Sequence, residues 1–524
     1  YIIITQDVRG RWMSEGTFVD VRPFNQNKKG TDIDEASDTY DTIDWLLKNI
    51  DNNNGNVGVF GISYPGFYST MAALSNHPAL KAVSPQAPVT DWFQGDDFHH
   101  NGAFMQMDGF AFYSAFGKPR PAPTTIGPKG FDYPTKDNYE FYLRTATLTN
   151  FSKLMGDSIP FWKDLMAHPN YDNWWKARNP RNFVTNIKPA MLVVGGLFDA
   201  EDCFGAWNLY KAIETKSKNA NNKLVMGPWF HGQWAGRGSD GSYLGNIQFG
   251  SKTSEWYAQN IEIPFFNFYL KGKGSVDKIA EANIFFSGAN EWKQLPQWPP
   301  ADMQPTDMYL QRNGGLTSIQ NKMAALSSFS EYVSDPAKPV PYTEDVHFKR
   351  TREYMTDDQR FAARRPDVLV FQTPSLTDDI TLAGPLVADL MVSLSTTDAD
   401  FIVKLIDVFP DDFKYSDTDK YIMNGYQMLV RGEVMRGKFR NSFEKPEAFV
   451  PNKPTEVKYT LPDVAHTFKK GHHIMVQVQS SWFPLVDRNP QQFLDINHAK
   501  EEDFKKATIK IYHNQSKIIL PIWK

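Results

Sequence analysis

Cysteine is nearly absent: the 524-residue chain has a single one, Cys203. A lone thiol excludes an internal disulfide framework and any zinc or iron–sulfur site assembled from several cysteines. An excess of one charge is missing too, with 56 Lys+Arg against 60 Asp+Glu for a formal net charge of −4. No overall field therefore draws the chain to nucleic acid or to an anionic membrane surface, and no run approaches the roughly 18 consecutive apolar residues of a spanning helix. Neither nucleic acid nor membrane is an expected partner. Loops of the G-x-x-x-x-G-K or G-x-G-x-x-G type, which cradle phosphates on backbone N–H groups, do not occur. His99-His100 and His472-His473 are adjacent pairs, a spacing that rarely chelates one ion, and no H-E-x-x-H pattern accompanies them. No cofactor and no metal are expected. A charged-then-apolar leader is also lacking. The chain opens on Tyr1-Ile2-Ile3-Ile4-Thr5, which reads as the inside of a buried strand, so the N-terminus is expected to be incomplete or processed.

What is present is length and apolar mass. At ~150 residues per domain the chain should hold about three domains, and aromatic residues, 14% of the total, favour large cores and an aromatic-lined pocket. Residues 1–100 alternate strand and helix signals. Residues 35–49 carry Ala36, Tyr40, Ile43 and Leu47 at helical spacing, and Val57-Gly58-Val59-Phe60 reads as a strand. Such alternation predicts a mostly parallel sheet. Strand signals return at 82–84, 191–196 and 223–227, while 101–188 breaks the rhythm with Trp, Phe, Tyr and Pro and predicts a helical insertion capping the sheet. Residues 256–270, followed by Lys271-Gly272, predict a last helix closing on a glycine cap. From about residue 282 the pattern becomes short alternating runs broken by turns, which predicts an all-β sandwich. The expected division is an α/β domain over 1–100 and 189–276, a cap over 101–188 and a sandwich over 277–524.

Ser63 is the first candidate for chemistry. In Gly61-Ile62-Ser63-Tyr64-Pro65-Gly66 it falls between a strand and a helix, where a tight turn thrusts Oγ above the sheet and the following N–H, that of Tyr64, points into the same space. The plain alternative is a helix-capping serine, and the second glycine comes one residue later than in G-x-S-x-G. Chain order supports the nucleophile, because an acid and then a histidine should follow later strands; Asp199 follows the 191–196 strand and His231 the 223–227 strand. Asp199-Ala200-Glu201-Asp202 packs three carboxylates into four residues, more than a triad needs. Their repulsion asks for a cation, unless they simply enrich a helix N-terminus in acid. Asp96 and Asp97 lie on another loop that can reach the same cleft. Cys203 beside these acids reads as a small buried residue, since neighbouring carboxylates raise a thiol pKa.

These segments resemble the serine hydrolases grouped with cocaine esterase and X-prolyl dipeptidyl peptidases, and above all the α-amino acid ester hydrolases. The likeness rests on Gln6-Asp7-Val8-Arg9-Gly10 with Ser14-Glu15-Gly16, the 40–46 segment, the Ser63 turn, Ser84-Pro85-Gln86-Ala87-Pro88, Phe198-Asp199-Ala200-Glu201-Asp202 and Gly227-Pro228-Trp229-x-His231. It implies an α/β-hydrolase with a helical cap and a C-terminal jelly roll. Ser63 would be the nucleophile, His231 the base and Asp199 its orienting acid, with the Tyr64 N–H in the oxyanion hole. Glu201, Asp202 and one of the Asp96-Asp97 pair, preferably Asp97, would hold a substrate ammonium. A second oxyanion donor, a tyrosine, lies in the family N-terminal to Tyr1, so roughly the first hundred family residues are expected to be missing.

The implied activity is hydrolysis and transfer of the acyl group of α-amino acid esters and of α-amino β-lactam antibiotics through an acyl-enzyme. The resemblance also implies a periplasmic or secreted location and a homotetramer. A general carboxylesterase or glutaryl-cephalosporin acylase of the same fold is the alternative, and a sugar-binding sandwich a more distant one.

Overall fold

The computed structural model describes residues 1–236, 239–320 and 328–524. Helix α1 (Glu35–Asn49) starts on a capping box in which Asp34 and Ser37 satisfy one another's backbone N–H groups, and it buries Ala36 and Ile43. Strand β1 (Val57–Ser63) leads directly into α2 (Tyr64–Leu74), followed by β2 (Leu80–Pro88). Five helices then form the cap: α3 (Gln106–Phe116), α4 (Asn138–Thr145), α5 (Leu148–Met155), α6 (Pro160–Ala167) and α7 (Asn173–Ala177). Aromatic residues of the cap pack together, Phe110 edge-on against Phe131, Phe151 and Trp162, and join the core of the α/β domain without a break. The chain returns to the sheet with β3 (Ala190–Gly196), α8 (Cys203–Lys216) and β4 (Asn222–Gly227).

The expected last helix is made of three pieces: α9 (Thr253–Tyr257), a π-helical turn (Ala258–Glu262) and α10 (Ile263–Lys271). Pro264 cannot donate a backbone hydrogen bond, and the widened turn just before it accommodates that gap in the ladder. The predicted glycine cap is present, with Gly272 left-handed at φ 61°.

Strands β5 (Ala282–Phe286) and β6 (Glu291–Leu295) complete a six-stranded sheet of order β1-β2-β3-β4-β5-β6. Neighbouring strands are parallel except the last pair. The pattern changes at about 277, but the sheet runs past that point. β5 pairs in parallel with β4 through Leu224–Ala282 and Met226–Ile284, so these two strands belong to the α/β sheet and the sandwich begins beyond residue 295. A short apolar run does not reveal which sheet will bury it. The strand expected at residues 1–5 is not formed either. Ile2 and Ile3 are 56% and 80% exposed and the segment is coil. It meets no described strand edge that could satisfy its backbone groups.

The strand ladders described in the sandwich are antiparallel. One sheet has the order β8-β7-β17-β11-β16-β9 with β14 also paired to β11, from β7 (Gln304–Leu310), β8 (Leu316–Thr317), β9 (Phe329–Ser334), β11 (Ile380–Leu394), β14 (Thr455–Phe468), β16 (Ala507–Tyr512) and β17 (Lys517–Trp523). The other runs β10-β15-β12-β13, from β10 (Leu369–Gln372), β12 (Asp400–Val408), β13 (Gln427–Arg436) and β15 (His473–Gln479). The sandwich docks on the α/β domain through β14, where Asp463 accepts from Lys211 of α8 at 2.7 Å and from the Trp298 indole at 2.8 Å. The 335–368 connection between β9 and β10 crosses back to the carboxyl end of the parallel sheet, where open α/β sheets form their clefts.

Candidate active site

Ser63 occupies the join between β1 and α2 at φ 69°, ψ −127°. A residue with a side chain rarely adopts that backbone, and a strand-to-helix turn that enforces it lifts the hydroxyl clear of the sheet. The turn closes on glycines: a Cβ on Gly61 would lie 2.5 Å from Pro65, and one on Gly66 2.5 Å from the Gln86 carbonyl oxygen. This accounts for the late glycine. Pro65 sits in the first turn of α2, where a missing N–H is harmless, and position 66 is the one pressed against β2. Ser63 makes no side-chain capping bond to α2, so it is not a helix-capping serine. The Tyr64 N–H heads the helix, where the first four N–H groups have no intrahelical acceptor. Its ring turns into the core, and its hydroxyl accepts from the Val21 N–H at 2.7 Å.

Asp199 and His231 follow β3 and β4 at the same end of the sheet and meet there. His231 Nδ1 lies 2.9 and 3.1 Å from the two Asp199 oxygens, and Asp199 Oδ1 also accepts from the N–H groups of Glu201 (2.8 Å) and Asp202 (3.1 Å). With the proton on Nδ1 held by this carboxylate, Nε2 is the nitrogen left to exchange protons. Nε2 is 3.3 Å from Glu201 Oε2. Among the described residues Ser63 Oγ has no hydrogen-bond partner, His231 included.

Around His231 the structure gathers three further carboxylates. Asp97, in the left-handed region at φ 39°, accepts from the Trp92 indole at 2.7 Å, and its N–H donates to the Glu201 carbonyl at 2.9 Å. Asp96 points elsewhere. It is fully buried and accepts from Thr90 N–H (2.7 Å), Thr90 hydroxyl (2.8 Å), Asp91 N–H (2.8 Å) and the Gly205 N–H at the start of α8 (2.7 Å). Asp96 therefore ties the 90–96 loop to α8, while Asp97 faces the cluster. Asp202 is 0% exposed and neither of its carboxyl oxygens has a hydrogen-bond partner among the described residues; His231 Nδ1 is 3.9 Å from Oδ2.

The electrostatics follow from this crowding. Burial, with Asp97, Asp96, Asp199 and Glu201 beside it, pushes the Asp202 carboxyl well above the ordinary range. Burial and the neighbouring Glu201 raise Asp97 to about 7. For Glu201 burial again opposes charge, but His231, Arg350 and Arg352 outweigh it and hold the carboxyl down to about 2. Burial works against a charged His231 too, yet Asp199, Glu201 and Asp97 keep its pKa up to about 9.

Arg350 went unread in the sequence. It arrives on the 335–368 connection, donates through Nε to Asp108 at 2.6 Å, and forms a short ion pair through its terminal nitrogen with Glu201. Lys349-Arg350-Thr351-Arg352 is a basic cluster, the one signal that could have drawn attention to it, but it lies about 150 residues from the acids it answers. Cys203 is buried, with its thiol raised to about 11 chiefly by that burial, and does not compete as a nucleophile. The histidine pairs are committed elsewhere: His99 to the Trp92 carbonyl at 2.9 Å, His100 to Glu433 at 2.9 Å, His472 to Asp407 at 2.8 Å and His473 to the Thr373 carbonyl at 2.9 Å.

A parallel sheet with a strained serine turn at one strand end and an Asp–His pair at two others defines a serine hydrolase of the α/β-hydrolase class. Residues 1–233 match the X-Pro dipeptidyl-peptidase (S15 family) model and residues 274–517 the X-Pro dipeptidyl-peptidase C-terminal non-catalytic domain. The crystal structure of an aminopeptidase from a marine sediment Thaumarchaeota archaeon is 39% identical with a TM-score of 0.91, covering 99% of this chain and 84% of that one. An α-amino acid ester hydrolase structure is 37% identical with a TM-score of 0.91, covering 99% and 85%. Cocaine esterase from Rhodococcus sp. (strain MB1 Bresler) is 28% identical over 546 residues, 100% of this chain and 88% of that protein. The chain belongs to this S15 family of serine hydrolases.

Proposed function

We propose that this protein cleaves esters and amides of α-amino acids, using Ser63 as nucleophile, His231 as general base and Asp199 as its orienting acid, with Asp97, Glu201 and Asp202 receiving the substrate's α-ammonium. The observation that carries this reading is Asp202, a fully buried carboxyl group with no hydrogen bond to either oxygen and with His231 Nδ1 standing off at 3.9 Å from Oδ2. Ionising such a group with no facing cation is costly, which is why its pKa is raised, and a bound ammonium removes that penalty. A plain esterase has no use for it.

In the reaction Ser63 Oγ attacks the substrate carbonyl while His231 Nε2 takes its proton, and the Tyr64 N–H at the head of α2 stabilises the oxyanion. His231 then returns the proton to the leaving group and an acyl-enzyme remains. Water completes hydrolysis, or an amine captures the acyl group. Transfer to the amino group of a β-lactam nucleus, and cleavage of β-lactam antibiotics with an α-amino acyl side chain, are part of the proposal. So are a periplasmic or secreted location and assembly as a homotetramer, which rest on likeness to the family. The second reading, a general carboxylesterase, is favoured by the cocaine esterase relationship.

The test compares phenylglycine methyl ester with phenylacetate methyl ester, below the pKa of the substrate amine. Ser63→Ala should abolish turnover of both while leaving the fold intact. Asp202→Asn should lower kcat/KM for the amino ester by about 10- to 150-fold, the worth of a charge-assisted hydrogen bond, and spare the other. Equal losses on both would hand the site to the general esterase.

A further inference from the structure

The 335–368 connection places two arginines at the site in opposite circumstances. Arg350 is buried and shared between Asp108 and Glu201. Arg352 is exposed; its guanidinium lies over the ring of Phe230, 4.6 Å from the centroid, and no described carboxylate is within ion-pairing distance of it. Phe230 immediately precedes His231, and Arg352 is close enough to Glu201 to lower its pKa, the same carboxylate whose Oε2 lies 3.3 Å from His231 Nε2. A guanidinium held over an aromatic face still has N–H donors to offer, and its fork matches a carboxylate two bonds at a time.

From this geometry we infer that Arg352 is a specificity-determining residue, one that pairs with a carboxylate carried by the amine leaving group or acceptor. The inference rests on the amino-acyl reading above and adds the other half of the substrate: an α-amino acyl group joined to an amine that bears a carboxylate, as in a dipeptide or a β-lactam nucleus. In that step the Ser63 Oγ–carbon bond forms and the carbon–nitrogen bond breaks. The departing amine takes the proton that His231 removed from Ser63, and its carboxylate keeps its charge against Arg352 throughout. The negative cluster would then hold one end of a zwitterionic substrate and Arg352 the other.

The experiment uses the intact protein and its Arg352→Gln and Arg352→Lys variants on phenylglycyl-glycine, phenylglycyl-glycinamide and phenylglycine methyl ester. Arg352→Gln should lower kcat/KM for phenylglycyl-glycine by about 5- to 30-fold, mainly through KM. The amide and the ester should stay within about twofold, Arg352→Lys should recover part of the loss, and the gap should narrow at high salt. The same contrast is read in reverse as the wild-type-to-variant ratio of acyl-enzyme captured by glycine and by glycinamide, so it does not depend on peptide cleavage. Equal effects on the carboxylate and carboxamide partners, in cleavage and capture alike, overturn the inference. Failure of the wild type to prefer phenylglycine methyl ester over phenylacetate methyl ester overturns the amino-acyl reading instead.

Discussion

In the proposed reaction His231 accepts the Ser63 proton while it stands among acids that favour its protonated form and keep its pKa up to about 9. Activity then belongs to the deprotonated form, so rates should rise with pH through the acid limb. A substrate ammonium offsets the carboxylates that raise this pKa, and a neighbouring charge moves a pKa by about 1–3 units. The acid limb of kcat for phenylglycine methyl ester is therefore expected about one unit or more below that for phenylacetate methyl ester. Coincident limbs would mean that the cluster does not govern the base. This differs from the pKa of about 6 to 7 that an ordinary histidine would bring.

The elements around the site approach one another more closely than side chains allow. At Gly205, near the start of α8, a Cβ would fall 1.9 Å from the Pro88 carbonyl oxygen and 2.9 Å from Asp96 Oδ1. The same residue's N–H donates to that carboxylate at 2.7 Å. Gly205→Ala would push α8 off β2 and loosen the loop that carries Asp97. Overpacking of this kind costs about 1–3 kcal/mol, read as a lower midpoint in urea, and amino-ester turnover should fall with it. Gly274→Ala, with nothing within 4 Å but φ +77°, should lose only about 1 kcal/mol, the price of backbone strain alone. Comparable losses at the two sites would show that the α8–β2 contact has room for a methyl group.

On the scale of the whole molecule, the C-terminal half completes the site. Arg350 belongs to the region matching the non-catalytic domain model, yet it neutralises Glu201 beside His231. Arg350→Met should cost about 3–5 kcal/mol, because Asp108 and Glu201 lose their buried counter-ion together. Arg350→Lys, which keeps the charge but not the two-armed geometry, should fall between. Guanidinium denaturation of the full chain measures both, and an unchanged midpoint for Arg350→Met would show that the connection contributes no stability.

The local features of the site were written in the chain. A serine between a β run and a helix, and an acid and a histidine each just past a strand, are short-range patterns, because strand ends and turn chemistry depend on neighbouring residues. The same holds for α1 with its Asp34 cap and for Gly272 closing α10. What the sequence left open depended on contacts between distant segments. Whether Asp96 or Asp97 faces the cluster was decided by Gly205, whose N–H occupies Asp96. Whether residues 282–295 join the α/β sheet or the sandwich was decided by the free edge of β4. Arg350 and Arg352 could not be assigned from a basic run, because an arginine's role is set by the carboxylates and rings that the fold brings to it. Periodicity records which face of an element is buried; only the tertiary structure decides against what.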